Sequence, residues 1–321
     1  RFLCAPSVVV ALSSFVRRTP AEETVEAVTE VTGYRSRLAD FHERHPGELA
    51  ERMRRVLAEQ HYLSMERRLR MLQWKSAAER YEYFYSVDYH GAVHIIDAME
   101  RAGANKLVQF STDMVYGPLQ TPPPVKVDHP RVPIGEYSAS KMALEDYCIA
   151  KRAKGLKVSL FRPRLIIGPG RVGILGKLFH LMRLNLPVPL IGNGKNRYQM
   201  VAVFDCASAA ICSANKGIVN GEFNLGSANP PNVRQLLSEL IRQAGSKSIL
   251  IPTIAAPAKV ILRALDRMDM PLLVPEQFEI ADHDYVVDIE HTMRSLDWKP
   301  KFGDQEMMND AYSKFLAARH A

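Results

Sequence analysis

The sequence predicts an α/β fold built on parallel strands, and three stretches carry that expectation. Lys106–Gly117 is a short apolar run that ends in hydroxyls and then turns. Lys141–Ala150 has the spacing of a helix, and Val158–Gly170 is a second apolar run with a Pro/Gly exit. Short apolar runs bounded by turn residues suit buried strands. At 321 residues the chain is long enough for one large α/β domain or two smaller ones.

Composition narrows the class. With 47% hydrophobic and 24% charged residues the chain is an ordinary globular one. A formal net charge of +7 suits an anionic ligand, but no basic run with interleaved aromatics points to nucleic acid. Cys4, Cys148, Cys206 and Cys212 are spread without metal spacing, which favours a reduced, cytoplasmic compartment. Nothing reaches the roughly 20 apolar residues of a membrane helix. Phe2–Val16 is apolar, but Arg17 and Arg18 follow it directly and argue against an export signal.

Tyr137-Ser-Ala-Ser-Lys141 carries the chemistry. Residues four apart share a helix face, so the Tyr137 phenol and the Lys141 ammonium are expected side by side. A neighbouring cation favours a phenolate, and a tyrosine tuned in this way can pass a proton to or from a hydroxyl or carbonyl. The competing reading is two residues that merely share a helical spacing.

The context favours the chemical reading. Ser111-Thr-Asp-Met-Val-Tyr-Gly117 lies upstream and Arg162-Pro-Arg-Leu-Ile-Ile-Gly-Pro-Gly170 downstream. In this order and at these distances, the motifs resemble those of the extended short-chain dehydrogenase/reductase family, the NAD-dependent epimerases and dehydratases of nucleotide sugars. The resemblance covers roughly Phe84 to the C-terminus. It implies a Rossmann-like parallel sheet with a smaller C-terminal substrate-binding α/β region. The expected division is 1–84 as an atypical segment, 85–170 as the catalytic part and 171–321 as mainly substrate-binding.

The resemblance also implies roles. Thr112, Tyr137 and Lys141 would be catalytic; Ser111, Tyr137, Lys141, Pro163 and Arg164 would line NAD or NADP; Thr112, Asp113 and Arg197 would meet the substrate, a nucleotide sugar or similar compound. Dehydratases of the family usually show Thr-Asp-Glu at the hydroxyl motif. Thr112-Asp113-Met114 supplies only half of it, which favours an epimerase or reductase.

Taken in order, the first eighty residues depart from the family. A dinucleotide site needs a strand, a glycine turn that lets the backbone approach the pyrophosphate, and a helix N-terminus. Arg1–Cys4 is a candidate strand, yet Ala5–Val16 has no glycine, and only Gly33 and Gly47 precede Phe84. The segment is rich in arginine, with Lys75 its one lysine, and Glu48–Glu79 has the pattern of one or two amphipathic helices. Weak dinucleotide binding is expected, and a degenerate, non-catalytic binding or dimerisation module is the alternative reading.

Tyr85–Glu100 reads as a helix closed by Gly103, and Asp88 stands where the family usually has Asn. His90 and His94 have a ligand spacing but no third partner, so no metal is expected. Leu107–Phe110 and Val158–Ile167 are strands. Gly168-Pro-Gly-Arg-Val-Gly173 matches a glycine fingerprint formally, but no acidic residue lies between Asp146 and Asp205 to take a ribose, and Pro169 sits inside the turn. Gly176–Leu186 is a helix. Pro189–Asp205 resembles a family hairpin whose arginine, Arg197 here, meets a diphosphate; Ala202 replaces its usual histidine. Asp205–Ala214, Val233–Ala244 and Ala255–Asp269 are expected as helices, the last a candidate lid over the substrate, and Glu222–Gly226 as a strand. The resemblance implies a homodimer through helices 88–102 and 138–153, whose apolar faces include Ala92, Ile95, Ile96, Met99, Met142, Leu144 and Tyr147.

Overall fold

The computed structural model describes residues 8–11, 77–168, 175–268, 273 and 275–317. The expectations for Arg1–Cys4, for the part of the Glu48–Glu79 helices before Ala77 and for the turn at 169–173 lie outside the described residues.

Strand β1 (Val8–Ala11) begins the described chain. It lies within Ala5–Val16, the glycine-free stretch that would have to supply the phosphate turn after a strand at Arg1–Cys4: three β-branched residues in a row favour an extended strand, and this run pairs parallel with β2 (Lys106–Phe110). Strand β3 (Lys157–Pro163) pairs with β2 and with the later strand Gly221–Leu225, so all four run parallel. Both strands are mostly buried, which favours their apolar Leu107, Val108, Val158, Leu160 and Phe161, while buried Gln109, Ser159 and Arg162 interrupt the runs.

Helices α1 (Ala77–Phe84) and α2 (Gly91–Arg101) are joined by a π-helical turn, Tyr85–His90, where an uninterrupted helix is expected. Such a turn inserts a residue into the ladder, and it aims Asp88 inward. Gly103, at φ +70°, ends the helix as anticipated. Helix α3 (Glu136–Arg152) packs beside α2. Ala92, Ile96, Met99, Leu144 and Cys148 bury against Leu107, Val158 and Leu160 on one face of the sheet.

The expected strand Val158–Ile167 is two strands. Pro163 has no N–H to continue the ladder, the Arg164 N–H turns to the Leu225 carbonyl at 2.9 Å, and β4 (Leu165–Ile167) departs for a different sheet. After α4 (Leu175–Arg183), the expected hairpin is also absent. β5 (Val188–Ile191) pairs with the strand Leu250–Thr253, whereas β6 (Met200–Ala202) pairs with β4. Gly192 and Gly194, at φ +82° and +72°, turn the chain between them.

Helix α5 (Val203–Asn215) leads to β7, the Gly221–Leu225 strand already placed. Phe161, Phe223, Cys206, Ala209, Leu296 and Trp298 fill the second sheet face. The remaining helices are α6 (Val233–Gln243), α7 (Ala255–Arg267), the short turn α8 (Pro275–Phe278), α9 (Glu290–Leu296) and α10 (Asp304–Ala317), with β8 (Leu250–Thr253) between α6 and α7. Asn232 caps α6, accepting from the Gln235 N–H at 2.8 Å. Leu236, Leu240, Phe179, Met308 and Phe315 form the C-terminal core.

Candidate active site

The C-terminal end of β2 delivers Ser111, Thr112 and Asp113, all buried. The Ser111 N–H donates to the Phe161 carbonyl at 2.7 Å, and its Oγ has no partner among the described residues. Thr112 is extended, at φ −157°, and begins a single 3-10 turn, Asp113–Tyr116. Its Oγ1 accepts from the Met114 N–H at 3.2 Å and faces Asp113 Oδ1 at 3.4 Å. Here Thr112 caps its own turn.

Helix α3 packs against that turn and presents Tyr137 in its first turn, half-buried. One turn on, Lys141 is 5% exposed and its Nζ lies 5.7 Å from the centre of the Tyr137 ring. The expected juxtaposition is present. The ammonium also meets Asp88, at 3.2 Å between Nζ and Oδ1, with the carboxylate 1% exposed. Where the resemblance implies a neutral amide, this chain places a charged group against the lysine. Phe84 packs on the other side of Tyr137, with ring centres 5.4 Å apart.

Arg164 and Asp113, expected against cofactor and substrate respectively, bind each other. Nη1 reaches Oδ2 at 2.5 Å, and both side chains are buried. Burial raises the Asp113 carboxyl above the ordinary aspartate value, and the facing guanidinium offsets part of that rise. Tyr198 and Tyr285 cover Arg164 at 4.4 and 4.3 Å from guanidinium carbon to ring centre. The Tyr285 hydroxyl donates to the Asp113 and Gly117 carbonyls, each at 3.2 Å. Pro163 is buried at the end of β3.

Arg197 is half-exposed, and its fork is filled by Asp284: Nε to Oδ1 at 3.0 Å and Nη2 to Oδ2 at 2.6 Å. Sequence reasoning identified the arginine and missed its partner, 87 residues away. It also missed Tyr198 and Tyr285, which carry no local signal. Asp88 was visible as a departure from the family, but its lysine contact was not. His90 and His94 are exposed, and no group of three metal-ligating side chains occurs among the described residues.

The model of the NAD dependent epimerase/dehydratase family matches residues 71–226, which contain the hydroxyl turn, the Tyr137–Lys141 pair and Arg164. Residues 71–226 are a domain of that family. The uncharacterized protein y4nG of Sinorhizobium fredii is 29% identical over 244 residues, covering 75% of this chain and 61% of that protein. A dTDP-glucose 4,6-dehydratase of Streptomyces griseus is 28% identical over 166 residues, 51% of this chain and 50% of the enzyme. The chain thus spans half to three-fifths of the length of these two relatives. Among solved structures, UDP-glucuronic acid 4-epimerase from Bacillus cereus, in complex with UDP-glucuronic acid and NAD, superposes with a TM-score of 0.56 at 16% identity. The match covers 71% of this chain and 67% of that one. The epimerase/dehydratase domain therefore has the Rossmann-like α/β fold that the motifs implied.

Proposed function

We propose that the chain is an NAD(P)-dependent oxidoreductase of epimerase or reductase type acting on a nucleotide sugar or a similar polar substrate. The observation that carries the reading is the Lys141 ammonium, buried 5.7 Å from the Tyr137 ring centre, on a helix packed against the hydroxyl-bearing end of β2. Relatives and structural neighbours named as dTDP-glucose dehydratase and UDP-sugar epimerase support the substrate class.

The residues present fit the nicotinamide end of such a cofactor. Ser111 offers a buried hydroxyl with no partner among the described residues, beside Thr112 and at the strand edge where ligands of parallel sheets bind. Ser111, Lys141, Pro163 and Arg164 would hold that end, directly or through the packing of the pocket. The nicotinamide, when bound, supplies the hydride acceptor or donor. The chain's own work is to orient the substrate and move a proton. Tyr137 Oη passes that proton to or from the reacting oxygen, Lys141 favours the phenolate by its charge, and Thr112 orients the oxygen at the turn. Arg197 meets the substrate's anionic end.

Cys148, Cys206 and Cys212 form no disulfide, and no helix among the described residues is long and apolar enough to cross a membrane. Both fit a cytoplasmic enzyme. One observation favours a second reading: after β1 no glycine occurs until Gly33, as expected of a non-catalytic binding or dimerisation module. Tyr137→Phe separates the two. Turnover of UDP-sugars with NAD or NADP should fall by roughly 10²–10⁴ with the fold intact by circular dichroism. Unchanged kcat would remove the enzyme assignment.

A further inference from the structure

Helix α7 is built inside out. Its inward side carries charge: Lys259 is buried, and its Nζ donates to the Glu279 carbonyl at 2.6 Å and pairs with Asp282 Oδ1 at 2.5 Å. Asp266, two turns on, is half-buried on the same side. The outward side is apolar. Ile254, Pro257, Val260, Ile261, Ala264 and Met268 follow one another at helical spacing, Ile254 and Met268 as the two caps, and all six are exposed. A surface helix ordinarily does the reverse and turns its apolar stripe to the core.

Exposure singles this segment out. Ile249, Ile254, Val260, Ile261 and Met268 are each at least 60% exposed, and no other large apolar side chain among the described residues exceeds 50%. Scattered exposed aliphatics are ordinary on a protein surface, whereas a cluster within residues 249–268 marks a face that something covers. Ile251, on the strand β8 that leads into the helix, is exposed too.

Charge decides what covers it. Between Glu239 and Asp266 the sequence has no acidic residue, while Arg242, Lys247, Lys259 and Arg263 lie there and Arg267 follows. Lys247, Arg263 and Arg267 are exposed. Arg263 and Arg267 stand one turn apart at the border of the apolar face, and Arg263 also holds Glu279, with Nη2 at 2.7 Å from Oε2. A second copy docked across a twofold axis would bring the same cations together with no acid between them, which opposes that pairing. Hydrocarbon beneath anionic headgroups matches both features: it takes an aliphatic face of any shape and meets the cations with phosphates.

We infer that α7 and the end of β8 dock on the surface of an anionic lipid bilayer. Ile254, Val260, Ile261 and Met268 enter the boundary between headgroups and acyl chains, and Lys247, Arg263 and Arg267 reach the phosphates. The helix lies on the bilayer and does not cross it: its 13 residues extend about 20 Å, short of the roughly 30 Å of hydrocarbon. The segment that α7 grips, 279–282, runs directly into Tyr285, whose hydroxyl donates to the Asp113 carbonyl. Docking therefore ties the candidate site to the membrane through a short, continuous stretch of chain. The inference does not depend on the enzyme reading, and a chain without turnover tests it equally well.

Vesicle flotation of the full chain provides the test, with phosphatidylcholine vesicles as the neutral control and vesicles of roughly one-third phosphatidylglycerol as the anionic probe. Wild type should bind the anionic vesicles about tenfold more tightly than the neutral ones, and added salt should weaken that binding. Val260→Ala with Ile261→Ala removes apolar area from an exposed helix face and raises helix propensity, so the fold is retained; binding should fall about tenfold or more. Ile261→Leu, which keeps the area, should bind as wild type does. Lys247→Gln and Arg267→Gln should each weaken binding about fivefold. No flotation with anionic vesicles, equal binding to neutral ones, or binding that ignores the alanine pair overturns the inference. So does a dimer in light scattering that the alanine pair dissociates, because the face then belongs to a second copy of the chain.

Discussion

Helix α3 carries Tyr137 and Lys141 in its first turns, and about one turn beyond Lys141 it is fastened to the sheet by Glu145. That carboxylate is fully buried. Arg162, from β3, reaches it with Nε at 2.9 Å and Nη2 at 2.7 Å, and spends Nη1 on the Tyr116 hydroxyl at 2.9 Å and the Val127 carbonyl at 2.8 Å. Glu145→Ala leaves a guanidinium that is 3% exposed without its counter-charge. The expected loss is about 3–5 kcal/mol, and at roughly 2–4 °C per kcal/mol for a body of this size the melting temperature falls by roughly 6–20 °C. The pair Glu145→Leu with Arg162→Met removes both charges and keeps most of the volume. It strands the Val127 carbonyl, at about 1–3 kcal/mol, but leaves no buried ion. The double variant should therefore be more stable than Glu145→Ala. Urea unfolding, read as midpoint and slope, measures both. A loss below 1 kcal/mol for Glu145→Ala, or a double variant as unstable as the sum of its singles, would refute the idea that this ion pair anchors the catalytic helix.

Alkali should expose the neighbouring tyrosine. Burial pushes the Tyr116 phenol from 10.0 up to about 12, so its stabilising contribution is complete below pH 10 and lost as pH rises through about 12. Wild type should lose about 2–3 kcal/mol more than Tyr116→Phe across that window in urea titrations, and parallel losses would sink the assignment. A homodimer through α2 and α3 is expected by light scattering, but Ala92, Ile96, Met99 and Leu144 are spent on the chain's own core. The contact must use partly buried Ile95 and Tyr147 and exposed Ile149, and a monomer at micromolar concentration would refute it. Calorimetry with NAD and NADP should find weak binding, since no glycine occurs between β1 and Gly33; submicromolar affinity for either would contradict that reading.

What the sequence discloses about this molecule is local, and what it withholds is partnership. Helices expected at Val233–Ala244 and Ala255–Asp269 appear at Val233–Gln243 and Ala255–Arg267, because apolar periodicity, and for the first the Asn232 cap, is encoded within a few residues. The Tyr137–Lys141 juxtaposition was legible for the same reason: helical spacing alone fixes it. Strand boundaries failed where a choice of neighbour decides them. Val158–Ile167 is uniformly apolar, and only the competition between β7 and β6 for its two halves splits it at Pro163.

The charged residues that organise the site were the least legible, and electrostatics explains why. Asp88, Glu145 and Asp113 look solvent-facing in a pattern, since a buried carboxylate is unfavourable unless a cation meets it. Their cations, Lys141, Arg162 and Arg164, lie 53, 17 and 51 residues away in sequence and close in space. Each of these three pairs joins a different element to the strand or helix that carries a candidate site residue: the π-helical turn to α3, α3 to β3, and the hydroxyl turn to the exit of β3. A packed apolar core would hold the same elements together but would tolerate small slips between them. An ion pair buried at about 3 Å does not, because a shift of 1–2 Å strands two charges. Three buried salt bridges thus fasten to one another the elements that carry Tyr137, Lys141 and Thr112.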